Sequence, residues 1–400
     1  MKRLKAFLLG FSLLIILSAA PLWSQQFPEL GKLINSGQFE QARSALQAEL
    51  QKAPDNPELF YWKAALEMKR GQTAQAEKTL KAVVEKGIAQ PPHFLMLADI
   101  YNGRQQWAES VQVYRQALVK QYTPRMAYNL ALAEFQLKNF EAVIEAVQPL
   151  AENPKANWRF HHLLGLAYFG RNDVGEALPH LAKAADAEPV QANNLYDYAL
   201  ALLQARRFEE AVQHFKRTLE LEPGWARAHL YMGRAQHDQN LTEDALKSFQ
   251  QAEKLNPRLP LLHHHYGLLH RGRGEFDQAL AEFEKEIASG ANYPPSYFQL
   301  ADLLFNRQEY QRSATLAQKA VQLSPDKAAF RLLAAKLAIQ GRNWEKAEEH
   351  IQAALVSEPA SSQAYFQLGR LRQAQGRADE AGQSFEMSRR LADQKSGRIP

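Results

Sequence analysis

Four histidines and a Gly-Arg-Gly fall within the twenty residues LLHHHYGLLHRGRGEFDQAL, Leu261 to Leu280. Imidazoles at that density could ligate a metal ion, and glycines flanking an arginine could cradle a phosphate. Each chemistry imposes a spacing. Two histidines on a helix share one ion at i,i+3 or i,i+4, and no pair among His263, His264, His265 and His270 has either separation. His263 and His270, the two most distant, stand roughly 10 Å apart along a helix axis. A phosphate loop follows a strand, and nothing before Gly272-Arg273-Gly274 reads as one. The chain contains no G-x-S-x-G, no H-E-x-x-H and no Walker loop. It has no cysteine, which removes disulfides, thiolate metal sites and cysteine nucleophiles together. Paired acids such as Glu209–Glu210 and Glu348–Glu349 sit where helices would present them to solvent. The residue chemistry therefore predicts no catalytic group, no cofactor site and no metal site, and a protein that is not an enzyme.

A repeat positions these residues. LGLAYFGRNDVGEALPHLAKAADAEP (164–189), YALALLQARRFEEAVQHFKRTLELEP (198–223) and MGRAQHDQNLTEDALKSFQQAEKLNP (232–257) align with a step of 34 residues. In each, a small residue stands second, an alanine lies in the middle, Leu or Phe follows four residues later, and proline closes the segment. Self-similarity at such a period signals a solenoid of small helical units.

The pattern resembles the tetratricopeptide repeat, a 34-residue helix–turn–helix. In that register the resemblance covers residues 23 to 395 as eleven units, starting at 23, 57, 91, 124, 158, 192, 226, 260, 294, 328 and 362. It implies an all-α fold, a right-handed α-solenoid of about eleven such hairpins. Position 8 is Gly or Ala in ten units, position 20 is Ala in eight, and position 32 is Pro in six. Small residues at 8 and 20 let the two helices of a hairpin approach closely. Large apolar residues at 17 and 24, such as Phe208 with Phe215 and Phe276 with Phe283, should fill the space beside that crossing. Proline near 32 lacks an N–H and stops the second helix. No unit buries both faces alone, so stacking makes the core.

The same register assigns the histidines. His263 and His270 fall at positions 4 and 11, which face the hairpin core, and are expected there as aromatic-sized fillers. His264 and His265, at 5 and 6, are expected to face the concave groove near His237 and Asp238. The resemblance implies that positions 2, 5, 6, 9, 12 and 13 of the first helices meet a ligand. That gives Tyr61, Trp62, Tyr128, Asn129, Phe135, Tyr196, Asp197, Tyr231, Arg234, His264, His265, Phe298, Gln299, Asp302, Phe366 and Arg370 as groove residues, with Phe169, Phe305, Lys336 and Gln367 beside them. Aromatics interspersed with amides and a few charges suit an extended or helical peptide. The same aromatics pack against neighbouring units equally well. The carboxylate clamp of chaperone-binding members, Lys at 5 followed by Asn at 9, occurs in no unit.

The chain opens MKRLKAFLLGFSLLIILSAAPLWSQQ, a basic start, an apolar run and small residues, the form of a secretory signal. Residues 1–24 are read as a cleaved signal or a retained anchor, residues 25–395 as the repeat array and 396–400 as a polar basic tail. Either reading exports the array, and a bacterial periplasm or its membrane face is the expected location. Against 43 acids the chain carries 48 Lys and Arg, a formal net charge of +5, with basic residues gathered at both ends. The near-neutral body argues against nucleic acid as a partner. The expected function is a scaffold binding a protein or peptide partner in its groove, with a glycan- or polymer-binding scaffold as the alternative.

A longer period overlies the first. QPPHFLMLAD (90–99) and YPPSYFQLAD (293–302) match closely, and a glycine precedes each proline pair by four residues, Gly87 and Gly290. This points to duplication of a block of six units.

Overall fold

The computed structural model describes residues 26–153 and 156–395. The N-terminal segment 1–24 and the tail 396–400 lie outside the described residues. Among those described, every regular element is a helix, twenty-two in all, and none is long and apolar enough to cross a membrane.

The chain divides into two compact bodies, one ending at Arg207 and the other starting at Phe208. Each is an all-α helical-repeat solenoid. In the first, α1 (Pro28–Asn35) pairs with α2 (Phe39–Lys52), α3 (Pro57–Lys69) with α4 (Thr73–Glu85), and α5 (Pro91–Gly103) with α6 (Trp107–Lys120). Next come α7 (Pro124–Gln136) with α8 (Phe140–Ala151) and α9 (Trp158–Gly170) with α10 (Val174–Ala185), then α11 (Ala192–Gln204). The second body begins with α12 (Phe208–Leu221), followed by α13 (Ala226–Asp238) with α14 (Thr242–Leu255) and α15 (Leu262–Gly272) with α16 (Phe276–Ala288). It ends with α17 (Pro294–Asn306) and α18 (Tyr310–Leu323), α19 (Ala328–Gln340) and α20 (Trp344–Ser357), and α21 (Ser362–Ala374) and α22 (Ala378–Lys395).

Local sequence explains where the helices start and stop. Several first helices open on a side-chain cap. Asn56 accepts from the Glu58 N–H, Thr123 from Met126, Asn157 from Arg159 and Ser361 from Ala364. Such a cap satisfies one of the donors a helix start leaves unpaired. Proline follows at N1 in α3, α5, α7 and α17, where a missing N–H costs nothing. The second helices α2, α12, α14, α18 and α20 end two residues before Pro54, Pro223, Pro257, Pro325 and Pro359. Between the two helices of every hairpin one residue, at position 15, takes a left-handed backbone. Glycine fills it at Gly37, Gly71, Gly274 and Gly376, and non-glycine at Gln105, Lys138, Asn172, Arg206, Asn240, Gln308 and Arg342, all with φ between 56° and 78°. Gly274 is thus a turn residue, and the Gly-Arg-Gly of the opening segment is a hairpin corner.

The core follows the small-residue positions. Ala42, Ala76, Ala177, Ala245, Ala279 and Ala347 at position 20 are completely buried, as are Ala64, Ala98, Ala131, Ala301 and Ala335 at position 8. Where position 8 is glycine, the large residue at position 24 lies directly on the backbone. A Cβ at Gly233 would stand 2.6 Å from Phe249, one at Gly267 2.6 Å from Phe283, and one at Gly369 2.6 Å from Phe385. Position 17 behaves differently from the expectation. Phe283 is fully buried, but Phe276 is 51% exposed. Position 17 opens the second helix and packs toward position 13 of the next hairpin. Phe140 meets Gly170 there, whereas the matching residue after Phe276 is the polar Asn306.

Candidate functional site

In the second body, the first helices α17, α19 and α21 lie in sequence and open a depression of about 470 Å³. Phe298 and Asp302 of α17 line it, with Ala329, Leu332, Leu333 and Lys336 of α19. Ser362, Gln363, Phe366 and Gln367 of α21 complete the wall, with Ser388 of α22 at the edge. All but the two serines stand at positions 2, 5, 6 or 9 of their units. Each helix thus contributes one stripe, because residues three and four apart share a helix face.

The floor is apolar and the rim polar. Leu332 and Leu333 are buried, and the Phe298 ring sits 5.0 Å from Phe330. Phe366 is 47% exposed, with its ring 5.6 Å from Phe385. On the rim, Lys336 places its ammonium 3.8 Å from the Phe305 ring centroid, a cation–π contact. Asp302 accepts from Arg271 at 2.7 Å, and the same guanidinium also donates to Gln299. Ser388 donates to the Ser362 carbonyl at 2.7 Å. Gln367 keeps a buried Oε1 with no hydrogen-bond partner. Apolar area with a few placed polar groups is the make-up of a binding surface.

The other groove candidates are spread more widely. Tyr61, Trp62 and Tyr196 are buried. Trp62 is spent on structure: its ring covers Gly31, where a Cβ would stand 2.8 Å away, and its Nε1 donates to Glu58 at 3.3 Å. Tyr128 and Phe135 are half-buried, with rings 5.5 Å from Phe160 and 5.7 Å from Phe140. Asp197 pairs with His162 Nε2 at 2.8 Å, and Arg234 lies 3.8 Å from Asp238. Tyr231 and Arg370 are half-buried on α13 and α21, as are Phe169 on α9 and Asn129 on α7.

In the histidine segment the two residues expected in the groove are the more deeply buried pair, with His237 and Arg234 of the preceding hairpin acting on His265. His264 and His265 are buried, while His263 and His270 are only partly covered. Neighbouring hairpins close over the first pair, one on each residue. His264 Nδ1 lies 2.9 Å from Ser296 Oγ and its ring 4.9 Å from Tyr293, while His265 stacks on Phe249 of the preceding hairpin. Burial pushes the His264 pKa down to about 4 and that of His265 well below its ordinary value. His263 and His270 each meet a carboxylate of their own hairpin, Glu282 of α16 at 2.7 Å and Glu275 just before it at 2.6 Å. The Glu282 hydrogen bond raises the His263 pKa. Among the described residues no group of three or more His, Asp or Glu could hold a metal ion.

A residue that the sequence did not single out lies in the first body. Asp99, at position 9 of α5, is half-buried, and burial pushes its pKa up to about 7 against the pull of the Arg125 charge. Beside it Tyr114 is fully buried, and Asn102 Nδ2 donates to its hydroxyl at 3.5 Å. Asn129 also bonds that hydroxyl, while Asn102 Oδ1 is buried without a partner. Register alone would have flagged Asp99; the residue types around it would not.

Two family profiles match the chain, both described as tetratricopeptide repeat. One covers residues 33–93, and the other covers 95–157, 162–224, 196–260, 266–328 and 332–396. Among known proteins, the chain is 24% identical over 229 residues to DnaJ homolog subfamily C member 7 of Homo sapiens, covering 57% of this chain and 42% of that protein. It is 22% identical over 215 residues to TPR repeat-containing protein YpiA of Bacillus subtilis strain 168, covering 53% of this chain and 51% of that one. The chain thus spans about half the length of these relatives or less. A solved tetratricopeptide repeat protein from Parabacteroides merdae superposes with a TM-score of 0.50 at 17% identity, over 62% of this chain and 98% of that one. At that identity the likeness concerns the fold.

Proposed function

Since the chain belongs to the tetratricopeptide-repeat family, we propose that it is a non-catalytic scaffold of the cell envelope that binds a peptide segment of a partner protein on its first-helix face. Repeat arrays of this kind typically mediate protein–protein interaction. The depression between α17, α19 and α21 carries the reading, because its apolar floor and polar rim match an apolar side-chain anchor and the polar backbone of a peptide. Envelope location rests on the basic-then-apolar start of the chain.

Two variants test the binding surface. Phe366→Ala removes a half-exposed ring, and Lys336→Glu inverts a rim charge. With the chain as bait in bacterial envelope extracts, both should lose a protein partner that the wild type retains, while circular dichroism stays unchanged. Retention of that protein by both variants would contradict the reading. Polysaccharide retained by the wild type and lost by Phe366→Ala would favour the glycan alternative. Location is tested by fusing residues 1–24 to a reporter that folds only outside the cytoplasm. Activity is expected, and a silent fusion would rule out export by this segment.

A further inference from the structure

The two matching stretches QPPHFLMLAD and YPPSYFQLAD each open a first helix, α5 and α17, with prolines in its first turn. Each follows a left-handed glycine, Gly87 at φ 74° and Gly290 at φ 83°. Asp99 and Asp302 therefore stand at one and the same place in two copies of one local structure, on the stripe of their helix that carries position 9. Their surroundings differ. Asp302 holds the guanidinium of Arg271 at 2.7 Å, and Gln299 shares it. Arg271 comes from α15, the first helix of the preceding hairpin. At the same offsets in the first body stand Met68 of α3 and Met96 of α5.

The guanidinium that bonds Asp302 thus has no counterpart at the same offset from Asp99. Only burial and the more distant charge of Arg125 bear on the Asp99 carboxylate, with neither a hydrogen bond nor an ion pair. One turn further along α5, Asn102 carries a second acceptor without a partner, its buried Oδ1. Met68 is half-buried and Met96 buried, both apolar and adaptable in shape. A desolvated carboxylate whose counter-charge, Arg125, forms no ion pair or hydrogen bond with it is costly unless something pairs with it. The two oxygens of one half-buried carboxylate suit the planar fork of a guanidinium better than a single ammonium.

We propose that Asp99 receives a basic side chain of the bound partner, preferentially arginine, which supplies from outside the bonded cation that Arg271 supplies to Asp302 from within the chain. This rests on the first-helix face being a peptide-binding surface, and it names what that surface recognises in the first body. Recognition there is charge-specific, whereas the depression in the second body takes an apolar anchor.

The test is a random-heptapeptide phage library sorted on the immobilised full chain, followed by titration of the enriched peptides. The wild type should enrich a class of peptides with arginine at a fixed place. Asp99→Asn should weaken that class roughly ten- to hundredfold. Met68→Arg, which rebuilds inside the first body the arrangement of Arg271 and Asp302, should weaken it equally by occupying the carboxylate. Neither variant should alter peptides that depend on Phe366. Basic peptides that bind both variants as tightly as the wild type would overturn the inference and leave the peptide-binding reading standing. Enrichment confined to peptides without a basic residue would do the same. A library that enriches nothing would overturn both. Circular dichroism on both variants separates loss of binding from loss of fold.

Discussion

Phe283→Ala is expected to lower the stability of the second body by about 3–5 kcal/mol, the usual cost of emptying a buried aromatic site. Phe283 is completely buried, and its ring lies so close over Gly267 that a Cβ there would stand 2.6 Å away. Rigid helix backbone on one side and packed ring on the other leave little room for collapse into the cavity. The reverse change, Gly267→Ala, sets two effects against each other. Alanine improves helix propensity by about 1 kcal/mol, while overpacking against the ring costs about 1–3 kcal/mol. The net expectation is a loss of about 1 kcal/mol. The chain also contains its own compensated version: position 8 is Ala64 where position 24 is Leu80, and both are completely buried. The double variant Gly267→Ala with Phe283→Leu should therefore be more stable than Phe283→Ala by about 2 kcal/mol. Urea denaturation of the three variants checks the ordering. A Phe283→Ala protein as stable as the wild type would mean that the glycine crossings do not organise the core.

Asp99→Asn should stabilise the protein above neutral pH and leave it unchanged near pH 4. The sign follows from the raised pKa. In the folded chain Asp99 keeps its proton up to about pH 7, whereas in the unfolded chain it loses the proton near the ordinary 3.8. Between those values the folded state binds more protons, so its stability falls as pH rises. The penalty is complete above the folded pKa. The rise from 3.8 to about 7 bounds the penalty at roughly 4 kcal/mol, and partial access to water reduces it to about 2 kcal/mol. Asparagine keeps the shape without the charge and escapes the penalty. Thermal unfolding from pH 4 to pH 8 should show the wild type losing stability relative to Asp99→Asn across that window. Parallel curves would mean that Asp99 is not held against its charge. A group that weakens the folded state yet occupies a ligand-facing register is what a binding site costs.

The 34-residue period made the hairpins legible, because each of positions 8, 20 and 32 answers to one steric demand. Ala279 must be small where two backbones cross, and Pro257 must end a helix. The turn was harder to read from residue type. Its left-handed residue is Gly274 in one unit but Lys138 or Arg342 in others, and only the register aligns them. Burial within the first helices was legible least. His264 and His265 were expected in the groove, yet Ser296 and Tyr293 of the following hairpin close over His264, and Phe249 of the preceding one stacks on His265. That contact depends on neighbours more than thirty residues away in one case, which no local pattern encodes. Phe276 failed for the same reason, its environment being set by the next hairpin. In the candidate site the register located the lining, but the missing partners of Gln367 and Asn102 required the packed side chains to be seen. The absence of an Arg271 counterpart at Asp99 was present in the sequence all along, as Met68, and acquires meaning only once Asp302 and Arg271 are seen to touch.

The claim that the first-helix face is where a partner binds is tested most directly by photocrosslinking within the cell that produces the protein. A photoreactive amino acid is placed at Phe366, on the wall of the depression, and separately at Val356, which is 82% exposed on a second helix. Adducts are then mapped by mass spectrometry. Crosslinking of a defined peptide segment of another protein from position 366, and none from 356, is the predicted result. Adducts from 356 with none from 366 would place the partner on the outer face and contradict the account.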